Sequence, residues 1–175
     1  MVMFRSAPGP VRRGACLLAA LALGAPATAG ASSIGGFWEE AARLAGLPSS
    51  VLYGIALQEA GARWSDGTFR PWPWTLNTPR GPVRYASREE AVAGLRNFVR
   101  GGVRNIDVGL MQVNLRWHGA RVRRPEDLLD PRTNIAVAAQ ILREEKHIGH
   151  YHSKRPERAR AYAARVARFA SVLEK

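Results

Sequence analysis

Glu59 is an acid in an apolar place. Leu52, Ile55, Ala56 and Glu59 recur at i, i+3, i+4 and i+7, so in a helix the carboxyl shares a face with side chains that seek burial. Such a carboxyl either sits on the rim at the helix end or is held in a low-dielectric cleft. In the second case desolvation raises its pKa, keeps it protonated near neutral pH and poises it as a general acid. The other chemically loaded stretch is Asn105 to His118, which sets an acid, a glycine, two amides and a tryptophan into an apolar frame. Val108, Leu110, Met111, Val113 and Leu115 call for burial, whereas Gln112 and Asn114 carry amides that burial penalises unless something bonds them. A segment that buries its flanks and keeps polar groups lines a cleft.

Other chemistries find little support. His118, His147, His150 and His152 lack a His-Glu-x-x-His spacing and have no cysteine beside them, so neither a metal nor a cofactor is expected. A Gly-x-Ser-x-Gly elbow and a phosphate-cradling glycine loop are both missing from the sequence. The Arg121 to Arg124 run reads as a solvated basic loop.

The elements that must position these groups are mostly helical. Phe37, Ala41, Leu44 and Ala45 predict a first helix ended by Gly46-Leu47-Pro48, and Ser49 or Ser50 is the expected cap of a second over Val51 to Ala60, with Gly61 as its stop. Alternating prolines forbid helix at Arg70 to Trp74, and Thr75 to Asn77 with Pro82 to Tyr85 predict a hairpin. Trp64, Trp72 and Trp74 in this region could stack on sugar rings or fill a small core. Ser87 and Glu90 form a capping-box start for a helix to about Arg100. Asp130-Pro131 opens a long helix to about Lys146, a linker follows at Gly149 to Ser153, and Pro156 starts a last helix to Leu173 with Tyr162, Val166 and Phe169 facing inward.

Composition sets the setting. Arg5, Arg12 and Arg13, the apolar run Gly14 to Ala25 and the small-x-small Ala27-Thr28-Ala29 predict an export signal over residues 1–29, too short in its apolar part to span a bilayer. The expected mature domain, 30–175, fits one core, carries no cysteine once Cys16 is removed, and keeps a net charge of +9 from 23 basic and 14 acidic residues. An exported basic domain points to anionic envelope polymers. Nucleic acid is not an expected partner, and no integral membrane segment is expected.

Taken in order, Ala56-Leu57-Gln58-Glu59-Ala60-Gly61, Asp107-Val108-Gly109-Leu110-Met111-Gln112-Val113-Asn114, Leu129-Asp130-Pro131-Arg132-Thr133-Asn134-Ile135 and His150-Tyr151-His152-Ser153 resemble the soluble lytic transglycosylase family of lysozyme-like folds. The likeness is greatest to its small exported members associated with conjugation and type IV secretion systems. The resemblance covers Phe37 to Leu173. It implies a mainly α, lysozyme-like α+β domain with a short β-hairpin beside the cleft, and a periplasmic enzyme acting on peptidoglycan glycan strands. By the resemblance, Glu59 is the acid and base that cleaves the bond between N-acetylmuramic acid (MurNAc) and N-acetylglucosamine (GlcNAc). The 6-hydroxyl of MurNAc then closes a 1,6-anhydro ring without water. Met111 and Gln112 match residues lining the glycan subsites, with Asn114 in the same wall, and Tyr151 matches the cleft tyrosine of the family's Tyr-Asn motif.

Two departures stand out: Ala60 occupies the usual place of a serine, and His152-Ser153 that of Asn-Ala. Asp-x-Gly-x-x-Gln-x-Asn is also similar to the lysozyme segment that holds a second carboxylate. Asp107 is therefore either a second carboxylate or the cap of a helix starting near Val108, with the cap or a supporting polar role favoured. A hydrolysing muramidase and a weakly active glycan-binding scaffold are the competing readings.

Overall fold

A computed structural model describes residues 34–174, and the predicted export signal at 1–29 lies outside them. Seven helices and two small antiparallel sheets make up the described chain. Helix α1 (Ile34–Ala45) buries Trp38, Ala41, Ala42 and Ala45, and Gly46 turns the chain out of it in the left-handed region at φ 69°. Helix α2 (Ser49–Ala60) follows. Neither serine caps it: the N-cap is Pro48, and the Ser50 hydroxyl instead donates to Glu174 at 2.6 Å. Gly61 is no left-handed stop either. It has φ −56° and begins strand β1 (Gly61–Arg63), which pairs with β2 (Phe69–Pro71) as a hairpin the sequence did not announce.

Strands β3 (Thr75–Thr78) and β4 (Gly81–Arg84) form the expected hairpin, pairing Thr75 with Arg84 and Thr78 with Gly81. Helix α3 (Arg88–Arg100) starts as predicted. The Ser87 hydroxyl accepts from the Glu90 amide at 3.2 Å, and the Glu90 carboxylate accepts from the Ala86 amide at 3.1 Å. Two further strands, β5 (Asp107–Val108) and β6 (Val113–Asn114), complete a four-stranded sheet in the order β4-β3-β5-β6. The helix expected near Val108 is thus a strand, and helix α4 (Leu115–His118) begins only after β6.

Helix α5 (Pro131–Glu145) is capped by Asp130, whose carboxylate accepts from the Thr133 amide at 2.8 Å, with Pro131 at the first helical position. The predicted linker is a short helix, α6 (Ile148–His152), and α7 (Pro156–Leu173) has the bounds expected. The core runs between α1, α2, α5 and the sheet, with Leu52, Ile55, Leu76, Val108 and Leu129 at 0–1 % exposure. Helix α7 lies against α2 so closely that a β-carbon on Gly54 would stand 3.0 Å from the Val166 carbonyl oxygen. That small residue is what lets α7 bring its inward face to the end of α2.

Candidate active site

Several elements meet at a cleft of about 600 Å³: α2 supplies Glu59, the sheet supplies Asn77 and Asp107, the turn into β6 supplies Gln112, α4 supplies Trp117 and His118, and α6 supplies Tyr151 and His152. The larger hollow near Arg104 and Pro125, about 760 Å³, contains no acid.

Glu59 occupies the last turn of α2, on the stripe that buries Leu52, Ile55 and Ala56. Its carboxyl is pushed up from 4.5 to about 7. Burial is the largest cause, and the negative charge of Asp107 adds to it. The Tyr162 hydroxyl and the Arg165 guanidinium oppose the rise. Tyr162, fully buried on α7, donates its hydroxyl to Glu59 Oε1 at 2.6 Å. Burial and the neighbouring Glu59 charge raise the tyrosine's own pKa, so it stays a donor. Ala60 has no side-chain hydroxyl to offer the acid, and the hydrogen bond Glu59 accepts comes from another helix. His152 lies flat on the Tyr162 ring, with centroids 5.0 Å apart and planes at 3°. Arg165 is itself held by its Nε donating to Gln58 Oε1 at 3.2 Å.

Asp107 caps no helix. It sits in β5 between Asn77 on β3 and Asn114 on β6, and both neighbours donate to it. The Asn114 amide reaches Oδ1 at 2.7 Å and the Asn77 amide reaches Oδ2 at 3.1 Å. The capping role passes to Asn114, whose Oδ1 accepts from the amides of Arg116 and Trp117 at 3.0 and 3.3 Å. Its Nδ2 also donates to Asn105 Oδ1 at 2.9 Å. Asn114 lines the cleft, and with both oxygen lone pairs and both N–H groups engaged inside the protein its amide holds Asp107 and the start of α4 in place.

Met111 also departs from expectation. Its side chain is fully buried and is not among those lining the Glu59 cleft, because the backbone of this turn points it into the core. What the site takes from Met111 is its carbonyl, which accepts from the Tyr151 hydroxyl at 2.7 Å. Tyr151 does line the cleft, and its pKa is raised by burial and by the charges of Glu59 and Asp107. Gln112 faces the cleft as expected, from a strained position at φ 47°. Its Nε2 donates to the Gly109 carbonyl at 2.8 Å, which secures the turn and leaves Oε1 as the group to meet a ligand. Gly109 has φ 79°, and a β-carbon there would stand 2.7 Å from both Asn134 Nδ2 and the Leu128 carbonyl oxygen. Asn134, fully buried in α5, fastens this turn through three bonds: from the Met111 amide, and to the carbonyls of Val108 and Leu128.

Sequence reasoning missed Tyr162 as a partner of the acid and Asn77 as a cleft residue, and it put the stretch ending at Trp117 and His118 on the cleft without giving either a role. A signal existed for Tyr162, because a tyrosine on a buried stripe must find a hydrogen-bond partner. Of the tryptophans weighed for sugar stacking, Trp64, Trp72 and Trp74 instead pack on one another, with centroids 4.7 and 5.9 Å apart. The Trp72 indole N–H donates to the Tyr85 carbonyl at 2.9 Å.

Comparison with known families decides the class. Residues 86–173, half of the chain, match the family described as the Transglycosylase SLT domain. The chain belongs to that family. The matched stretch contains Asp107, Gln112, Asn134, Tyr151 and Tyr162, while Glu59 lies N-terminal to it. No curated protein and no solved structure matches the chain. SLT membership makes peptidoglycan the substrate class and lytic transglycosylase chemistry the broad activity, in accord with the mainly helical, lysozyme-like architecture. None of the described helices is long and apolar enough to cross a membrane.

Proposed function

We propose that this SLT protein is a periplasmic lytic transglycosylase that cleaves the MurNAc-β-1,4-GlcNAc bond and leaves 1,6-anhydroMurNAc ends. The observation that carries the reading is the Glu59 carboxyl, pushed up to about 7 on the wall of a polar cleft. Near neutral pH a substantial fraction of it is protonated. As the C1–O bond breaks, Glu59 passes its proton to the glycosidic oxygen, which leaves as the 4-hydroxyl of GlcNAc. The resulting carboxylate takes the proton of the MurNAc 6-hydroxyl, whose oxygen bonds to C1 and closes the anhydro ring. Glu59 returns to its starting state and water is not consumed.

Asp107, held on both oxygens by Asn77 and Asn114, acts as a fixed negative charge beside this exchange. It disfavours ionisation of Glu59 before the substrate arrives and faces the positive charge that develops at C1. The same placement favours a second reading, a retaining muramidase in which Asp107 meets the anomeric carbon and water completes the reaction. The basic composition and the predicted export signal support action in the envelope, where the enzyme opens the wall locally for a conjugation or type IV secretion apparatus.

Digestion of purified sacculi and mass spectrometry of the released muropeptides test the proposal. Anhydro-ended products that vanish in Glu59→Gln are expected. Reducing ends would assign the hydrolase. No release from pH 5 to 8 would leave a binding scaffold.

A further inference from the structure

One face of the four-stranded sheet lines the Glu59 cleft, and the strand register sets its chemistry row by row. Pro82 on β4, Asn77 on β3, Asp107 on β5 and Asn114 on β6 are cross-strand partners in turn, and all four line the cleft. Side chains two apart on a strand share a face, so the next row on that face is Arg84 paired with Thr75, and both line the cleft as well. Thr75 is buried and its hydroxyl donates to the Val83 carbonyl at 3.3 Å, so Arg84 is the polar group that this row offers to a ligand.

Among the described residues, Arg84 is the one Lys or Arg that lines this cleft, where the acids are Glu59 and Asp107. Its Nη2 donates to the Gly61 carbonyl at 3.1 Å, which brings the guanidinium to the end of α2, where Gly61 stands two residues beyond Glu59. That carbonyl belongs to a crowded turn: a β-carbon on Gly61 would stand 2.4 Å from the Leu57 carbonyl oxygen and from the Phe69 ring. A guanidinium has five N–H groups, and among the described residues this one makes a single hydrogen bond. Neither acid of the cleft pairs with it. Glu59 accepts from Tyr162, and Asp107 accepts from Asn77 and Asn114. Arg165, not Arg84, is the cation that acts on the Glu59 carboxyl.

A cation with four free donors, facing a cleft for an envelope glycan, calls for an anion on the ligand. The rings of peptidoglycan are neutral N-acetylhexosamines. Its carboxylates are carried by the lactyl arm on O3 of MurNAc, as the arm's own carboxylate when it is bare and as those of the stem peptide when one is attached. A planar guanidinium matches a carboxylate through two parallel N–H···O bonds. We infer that Arg84 is a specificity-determining residue of the cleft, whose guanidinium pairs with a carboxylate carried by the lactyl arm of MurNAc. The inference rests on the glycan-cleft reading of the site, and it adds the contact by which a MurNAc ring is told from GlcNAc.

The test uses Glu59→Gln protein, so that binding is read without turnover, and GlcNAc–MurNAc tetrasaccharides in three forms. One has free lactyl carboxylates, one has those carboxylates amidated, and one has stem peptides on the lactyl arms. Calorimetry is expected to give about tenfold tighter binding for a carboxylate-bearing form than for the amidated one. A gain for the free-arm form identifies the lactyl carboxylate as the partner, and a gain for the peptide form alone identifies the stem peptide. Adding Arg84→Gln abolishes the preference. Arg84→Lys keeps part of it, since a point charge attracts the carboxylate without the two-pronged fit. Each preference is a ratio taken on one variant, so a general loss of affinity or of folded protein cancels from it. Equal binding of the three forms by the Glu59→Gln protein, or a preference that survives Arg84→Gln, overturns the role of Arg84 and leaves the glycan cleft standing. Failure to bind any form overturns both.

Discussion

At the scale of single residues, the Glu59 carboxyl is set by burial and by three neighbours of opposite effect, and Tyr162 and Asp107 each give a signed prediction. Glu59→Gln should reduce product release by about 10²–10⁴-fold, the usual worth of a general acid and base. In the wild type, activity that needs the protonated acid should fall as pH rises through about 7. Tyr162→Phe removes the hydrogen bond that favours the carboxylate, so the pKa rises and the alkaline limb of the pH–rate profile moves up. Asp107→Asn removes a charge that disfavours it, so that limb moves down. Shifts in the same direction would refute this account of the site. Asp107→Asn should also cost about 1–2 kcal/mol in urea unfolding, because the new amide sets an N–H against the Asn77 or Asn114 donor. Stability carries a linked signature. The folded protein holds the Glu59 proton to about 7, the unfolded chain only to 4.5, so stability falls as pH rises between these values. The loss is up to about 3 kcal/mol, and a melting series should find it absent in Glu59→Gln.

At the scale of elements, the site depends on how one turn is tied to one helix. Residues Gly109 to Gln112 connect β5 to β6 with two positive φ values, and Asn134 on α5 fastens the turn from beneath. Asn134→Ala leaves the Met111 amide and two carbonyls without partners in a dry interior, and a loss of about 3 kcal/mol is expected by denaturant unfolding. Gly109→Ala meets backbone and amide at 2.7 Å and adds left-handed strain, so it should do comparable damage. Both variants should lower activity together with stability. That distinguishes them from Tyr162→Phe, whose effect is read in the pH profile.

At the scale of the whole molecule, 26 basic residues oppose 14 acidic ones across the chain. Arg158, Arg160 and Arg168 stand exposed along α7, whereas Arg96, Arg121 and Arg124 are taken up in ion pairs. A surface with so many unneutralised cations gathers anionic polymers at long range, and salt screens that attraction. Sedimentation of Glu59→Gln protein with purified sacculi should therefore fall several-fold as sodium chloride rises from about 20 to 300 mM. Binding that ignores salt would place the recognition entirely in the cleft.

Local patterns in the sequence determined a good deal. The apolar stripe on α2 put Glu59 on a buried face and left rim and cleft both open, Ser87 and Glu90 marked the start of α3, and Asp130-Pro131 that of α5. These features depend on neighbours three or four residues away, which is the range of helical periodicity and capping. The strand at Asp107 was not legible, because two-residue strands exist only through partners such as Asn77, thirty positions earlier. Met111 and Gln112 are adjacent and alike in sequence context, yet the fold buries one and presents the other. Only the tertiary structure placed the Tyr162 hydroxyl on Glu59 across 103 residues, through the close approach of α7 that Gly54 permits. The place of Glu59 on an apolar stripe was local information, and its pKa is a property of what the fold packs around it.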